Sequence, residues 1–290
     1  MLSEQQLAAR HSGLGGSDAA PALGLSPYKS TLALFVEKRD RPEPAPEMLA
    51  AFRWGNKLEP LIRQEYCDVT KRTVHLPMET LRHKEHAFML AHVDGITNDG
   101  RLFEAKTART AEGWGTSGSD GVPHHYMLQL QHYMCVTGIP VADLAVLIGG
   151  SDFRIFEVRE DPELQQLIVE GESEFWQLVE KNQPPPPDFD VDGPIIEKLF
   201  PGTDGKIIVA DEGDLSYWRT YSHAVEFVKR YEAVAESTKA HLLFRLGNGA
   251  RLIFPQAEVQ LVRREVKRKE YVVPASSYID SRFTKLKEVS

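Results

Sequence analysis

The chain has 290 residues, 42% hydrophobic and 26% charged, with a formal net charge of −8. That is enough for one large globular domain or two small ones, and no run approaches the 18 apolar residues that a membrane span needs. Only Cys67 and Cys135 are present; they form no CxxC, are too few to hold an iron–sulfur cluster, and read as reduced thiols of a cytosolic protein.

The opening residues, MLSEQQLAARHSG, lack a basic start and an apolar core, so no secretory leader is expected. Gly13–Ser17 reads as a tight turn. Residues 18–23 and 31–38 read as helices, interrupted by Gly24 and Pro27. A Pro-rich acidic loop follows over 40–47. Leu58, Leu61, Ile62, Tyr66 and Val69 then give a helical period over 54–70. Strands are expected at 73–76, 87–95 and 101–107, and a mobile Gly/Ser/Thr-rich loop at 108–122. Pro123 opens a helix that Gly138 ends. Strands at 142–149 and 153–158 and a helix at 162–182 complete the region. Helix, three strands, helix, strand is the order of a sheet flanked by helices, hence an α/β fold.

Pro184–Pro187 is a stiff break. It sets the expected boundary between a core of residues 1–183 and an extension of residues 184–290. The extension reads as a long helix over 212–246, with Leu215, Trp218, Tyr221, Val225, Val228 and Tyr231, and a β-hairpin over 250–266. Its charge differs from that of the core. Residues 239–290 carry eleven Lys or Arg against five Asp or Glu, an excess of six positive charges in an otherwise acidic chain. A basic surface of this kind is compatible with nucleic acid, and equally with a solvated tail. Arg263–Lys269 could track a phosphate backbone or guard an edge strand.

The chemistry is concentrated in FMLAHVDGITNDGRLFEAK, residues 88–106. Asp94 ends one apolar run. After the turn at Thr97-Asn98-Asp99-Gly100, Glu104 and Lys106 lie two apart and so share one face of the next strand. Two carboxylates beside an ammonium are costly to bring together unless a hard cation such as Mg²⁺ sits between the acids. The pattern alone is expected by chance about once in a chain of this size, so its placement on two strands joined by a turn is what counts. Ala105 offers a backbone carbonyl as a third oxygen, and Mn²⁺ could substitute for Mg²⁺. Gln129 and Gln131 lie about 200° apart around a helix, so one of them can face the metal. His124, His125 and His132 have no Cys or Asp at ligand spacing, which argues against zinc. There is no GxSxG elbow and no Walker A motif.

These strings resemble a known family. LGGSDAAPALGLSPYKS (14–30), RWGNKLEP (53–60), AHVDGI (91–96), LFEAKT (102–107) and YMLQLQHYMCVTG (126–138) occur in the order found in YqaJ-like viral recombinases. That family is close to the lambda exonuclease, within the PD-(D/E)XK nuclease superfamily. The resemblance spans residues 10 to about 158 and fades beyond 187. It implies a nuclease core, a central mixed sheet flanked by helices, with a C-terminal helix and β-hairpin added. It also implies an exonuclease that digests double-stranded DNA from 5′ ends and serves phage-type recombination in the bacterial host cytosol. The expected partners are a single-strand annealing protein and two further copies of the chain in a homotrimeric ring. An endonuclease or single-strand nuclease on the same site, and a non-catalytic DNA-binding scaffold, are the alternatives.

By the same resemblance, Asp94, Glu104, Lys106, Gln131 and Glu59 are the expected catalytic residues. Glu59 matches the family's helix acid and Gln131 the glutamine that completes the site. Asp94, Glu104 and the Ala105 carbonyl would hold the metal, and Lys106 would orient or deprotonate the attacking water. Arg10 and Ser17 match positions that grip a 5′-phosphate. Tyr28 and Lys29 are weaker candidates for strand contact. Trp114 could stack on a base, whereas Trp54 is expected in the core.

Overall fold

A computed structural model describes residues 12–40, 46–77, 79–200 and 202–264. The chain divides into two compact units, residues 1–200 and 201–290. The proline run therefore lies inside the first unit. Beyond it, Asp192 bonds Ser30, and Ile195, Ile196 and Leu199 pack against Leu32 and Phe35.

The first unit is an α/β structure. It runs β1 (Leu14–Gly15), α1 (Gly16–Ala22), α2 (Thr31–Asp40), α3 (Pro46–Thr70), β2 (Val74–His75), β3 (Leu81–Arg82), β4 (Met89–Ala91), β5 (Gly95–Thr97) and β6 (Leu102–Ala108). It continues with α4 (His124–Thr137), β7 (Val141–Ile148), β8 (Asp152–Arg159), α5 (Pro162–Glu180) and α6 (Gly193–Leu199). The main sheet has the order β2-β5-β6-β7-β8 and is mixed: β6 and β7 run parallel across the α4 crossover, and the other pairs are antiparallel. A smaller sheet has the order β1-β4-β3.

Strand alternation decides what covers each face of the main sheet. Leu102, Leu144 and Val146 point to one side and pack with Leu128 and Leu130 of α4 and Ile168 of α5. Phe103 and Ala145 point to the other and pack with Ile62 and Tyr66 of α3. The sheet is thus sandwiched between helices, as the element order suggests.

Several elements differ from expectation. The run 87–95 is two strands, because the chain leaves β4 in the small sheet and enters β5 in the main one. α3 starts at Pro46, before the expected 54, with Pro60 carried inside it. Residues 108–122 are fastened to β8: Gly118 N–H donates to the Ile155 carbonyl at 2.8 Å, and Ser117 bonds both backbone groups of Ile155. Trp54 is 56% exposed, with Lys57 over its ring, so it is not a core residue.

The second unit holds α7 (Glu212–Leu246) and the antiparallel pair β9 (Arg251–Phe254) and β10 (Val259–Val262). Asp211 caps α7 by accepting from the Asp214 N–H at 2.9 Å. Arg263 and Arg264 follow β10; the rest of the basic segment to Lys269 lies outside the described residues.

Candidate active site

The β5–β6 turn builds the site. Thr97 N–H donates to the Arg101 carbonyl at 2.8 Å, and Gly100 takes φ +80°, a left-handed conformation that glycine adopts without a Cβ penalty. The turn aims β6 back across the sheet. Glu104 and Lys106 then emerge on the α4 face, as alternation requires.

Asp94 sits in the bend between β4 and β5, not on a strand, and reaches β6 from there. Its Oδ2 accepts from the Ala105 N–H at 2.9 Å. β5 pairs β6 only at Leu102 and Phe103, so the β6 edge at Ala105 is left open to that carboxylate. Within an extended strand a residue's N–H and C=O point to the same edge. The Ala105 carbonyl therefore lies on the edge that Asp94 occupies. Glu59 of α3 is close enough to act electrostatically on Asp94, and it is ion-paired with Arg63 at 3.1 Å.

On the α4 face, Lys106 Nζ lies 2.6 Å from Glu104 Oε1, and the same oxygen accepts from Gln129 Nε2 at 2.7 Å. Gln129 also donates to the Tyr133 hydroxyl at 3.1 Å. The ring of Tyr126 lies 5.1 Å from Lys106 Nζ, a cation–π contact.

Gln131 does not belong to this group. Its Nε2 donates to the Arg159 carbonyl at 2.7 Å, and its Oε1 accepts from the Asp161 N–H at 3.0 Å. It fastens α4 to the β8–α5 connection. Tyr126, Gln129 and Tyr133 follow one another at helical spacing, and that spacing is the signal in the sequence for which glutamine faces the acids.

Ser17 lies exposed in the first turn of α1, and Arg10 lies outside the described residues. Gly16 next to it is tightly enclosed. A Cβ there would meet Tyr133 Cε1 at 2.5 Å, so this glycine is what lets α1 start against the ring that holds Gln129. Asp18 then closes the α1 N-terminus by accepting from the Gly15 N–H at 3.0 Å, and it forms a buried ion pair with Lys38 at 2.6 Å. His132 is a structural residue: it is buried, 2.7 Å from Glu172 and 2.9 Å from the Leu90 carbonyl.

The electrostatics are those of two acids crowded beside one ammonium. Burial, followed by repulsion from Glu104, pushes the Asp94 carboxyl up to about 8; Glu59 adds to this, and Lys106 and the Ala105 N–H offset only part of it. Burial opposes the charge on Lys106, yet Glu104 and Asp94 outweigh it and hold the ammonium above its ordinary value. Glu104 Oε2 is buried and has no hydrogen-bond partner among the described residues. A buried carboxylate oxygen without a donor needs a partner. A divalent cation fits: two carboxylates and a backbone carbonyl supply hard oxygen ligands, and Mg²⁺ keeps several waters for its remaining positions. Among the described residues no group of three or more His, Cys, Asp or Glu side chains is placed to hold a metal ion.

The YqaJ-like viral recombinase domain is matched by residues 5–140. The uncharacterized protein YqaJ of Bacillus subtilis (strain 168) is 34% identical over 181 residues, covering 61% of this chain and 56% of that protein. The chain thus spans about half the length of the curated relative it matches. An alkaline exonuclease from Laribacter hongkongensis, LHK-Exo, superposes with a TM-score of 0.51 at 20% identity, over 68% of this chain and 100% of that one. Its complex with dAMP superposes with the same score at 21% identity, over the same shares. These two likenesses establish a shared fold.

Proposed function

From the match of residues 5–140 to the YqaJ-like viral recombinase domain, we propose that the chain is a Mg²⁺-dependent deoxyribonuclease. It digests double-stranded DNA from 5′ ends and exposes single strands for phage-type recombination. The observation that carries this reading is the convergence of Asp94, Glu104 and Lys106 at one strand edge, with a buried Glu104 oxygen left without a donor.

Asp94, Glu104 and the Ala105 carbonyl hold Mg²⁺, and Mn²⁺ can replace it. When bound, the ion polarises the scissile phosphate and lowers the pKa of a bound water. The chain's own residues do the rest. Lys106, beside Glu104, orients or deprotonates the attacking water and offsets charge building on the phosphate. Gln129 holds Glu104 in place from α4. Glu59 adds negative charge near Asp94. Arg10 and Ser17 hold the 5′-phosphate. A homotrimeric ring and a single-strand annealing partner belong to the same reading. A ring would keep a chain of net charge −8 on DNA through topology more than through charge.

The test is digestion of two duplexes, one linear with a 5′-phosphate and one closed circular, with and without Mg²⁺. Loss of the linear duplex from its 5′ ends, in Mg²⁺ alone, is the expected result. Cutting of the circle would make the chain an endonuclease. Binding without hydrolysis of either would make it a scaffold.

A further inference from the structure

Three aromatic rings lead outward from Lys106. Tyr126 lies against the ammonium, 5.1 Å from ring centre to Nζ. His125 packs on Tyr126 with centroids 4.1 Å apart, and Tyr28 meets His125 at 5.2 Å and 88°. The inner end of the run is backed by the core, because Trp114 lies 5.4 Å from both Tyr126 and Phe156. The outer end is open: Tyr28 is 79% exposed.

A lone exposed aromatic on a loose loop would mean little. This loop is pinned. Ser26 Oγ accepts from the N–H groups of both Tyr28 and Lys29 at 3.2 Å. Lys29 pairs with Glu37 of α2, and Thr31 Oγ1 donates to the Pro21 carbonyl at 2.9 Å. Tyr28 is therefore presented in one place, and a ligand that stacks on it has little ordering cost to meet. His125 Nε2 is buried and has no hydrogen-bond partner among the described residues.

We propose that Tyr28, His125 and Tyr126 form the subsite for the terminal nucleotide at the cut end. The nucleobase stacks on the open face of Tyr28, and His125 and Tyr126 back that ring from within. This rests on the nuclease reading above and names what that site grips besides phosphate. Stacking suits an enzyme that removes any nucleotide, since every base has a π-face.

The experiment uses the full chain and Tyr28→Ala and Tyr28→Phe variants, with linear duplexes whose 5′-terminal nucleotide is normal, abasic or 2-aminopurine. Tyr28→Ala should lower kcat/KM for the first cut at a normal end about tenfold, through KM, while Tyr28→Phe keeps it. At an abasic end the variants and the wild type should cut equally. The wild type should quench 2-aminopurine on binding in Ca²⁺, and Tyr28→Ala should not. Equal slowing at normal and abasic ends, or full quenching by Tyr28→Ala, would overturn the subsite. Quenching by a wild type that cuts no duplex would keep the subsite and overturn the nuclease reading.

Discussion

Gln129 Nε2 donates to Glu104 Oε1 at 2.7 Å, the oxygen that Lys106 also contacts. One amide on α4 thus fixes the acid that the site depends on, and Gln131, two residues later, faces away toward Arg159. Gln129→Ala should lower the rate of DNA cleavage about ten- to a hundredfold, as losses of groups that hold a metal ligand do. Gln131→Ala should leave the rate within about twofold and lower Tm. Steady-state kinetics and a melting curve on both variants check this. A larger rate loss from Gln131→Ala than from Gln129→Ala would reject the assignment.

Gly16 is the packing point between α1 and the site. A Cβ at this position runs into the buried Tyr133 ring at 2.5 Å. Gly16→Ala should cost about 1–3 kcal/mol of stability from overpacking. It should also slow cleavage, because Tyr133 carries the hydrogen bond from Gln129. Pairing it with Tyr133→Phe separates the two effects: that variant alone keeps the packing but loses the hydroxyl that Gln129 bonds, so it should slow cleavage with little of the stability loss.

Metal binding should release a proton. Without the ion, Asp94 has its carboxyl pushed up to about 8 by burial and by Glu104. A carboxyl raised in the folded state favours folding fully below its unfolded value near 4, and that contribution is lost as pH rises through about 8. Mg²⁺ requires the ionised acid, so its affinity should climb with pH up to about 8, by at most about tenfold per unit, and then level off. The rise in Tm on adding Mg²⁺ should grow over the same range. Calorimetry in buffers of different ionisation enthalpy measures the proton directly. An affinity flat from pH 6 to pH 9 would contradict the crowding of these acids.

His132 and Glu172 are both buried, 2.7 Å apart, with His132 also bonded to the Leu90 carbonyl. Removing one partner leaves the other buried without a counter-group. His132→Ala should destabilise the fold by about 3–5 kcal/mol in denaturant titration. A cost below about 1 kcal/mol would mean that the pair is not the tie between α4 and α5.

Much of this was readable in the sequence. Glu104 and Lys106 share a face because strands alternate, and Gly138 takes φ +71° to end α4, as a C-terminal glycine signals. Asp94 was located, but the break between β4 and β5 was not: an apolar run reads as one strand even when its halves join different sheets. The resemblance favours Gln131 over Gln129, while local spacing separates two faces of a helix without saying which faces the sheet. The residues that settle it, Glu104 and Arg159, are brought there by the β6–α4–β7 crossover. Trp54, expected in the core, stands exposed, since α3 turns Ile62 and Tyr66 toward the sheet instead.

The most direct measurement is cleavage of an end-labelled linear duplex carrying a 5′-phosphate, by the wild type and by Glu104→Gln, in Mg²⁺ and in EDTA. Label released by the wild type in Mg²⁺ alone, with Glu104→Gln still binding the duplex but releasing none, is the predicted result. Release in EDTA, or undiminished release by Glu104→Gln, would show that the pair of acids at the β6 edge is not where phosphodiester hydrolysis occurs.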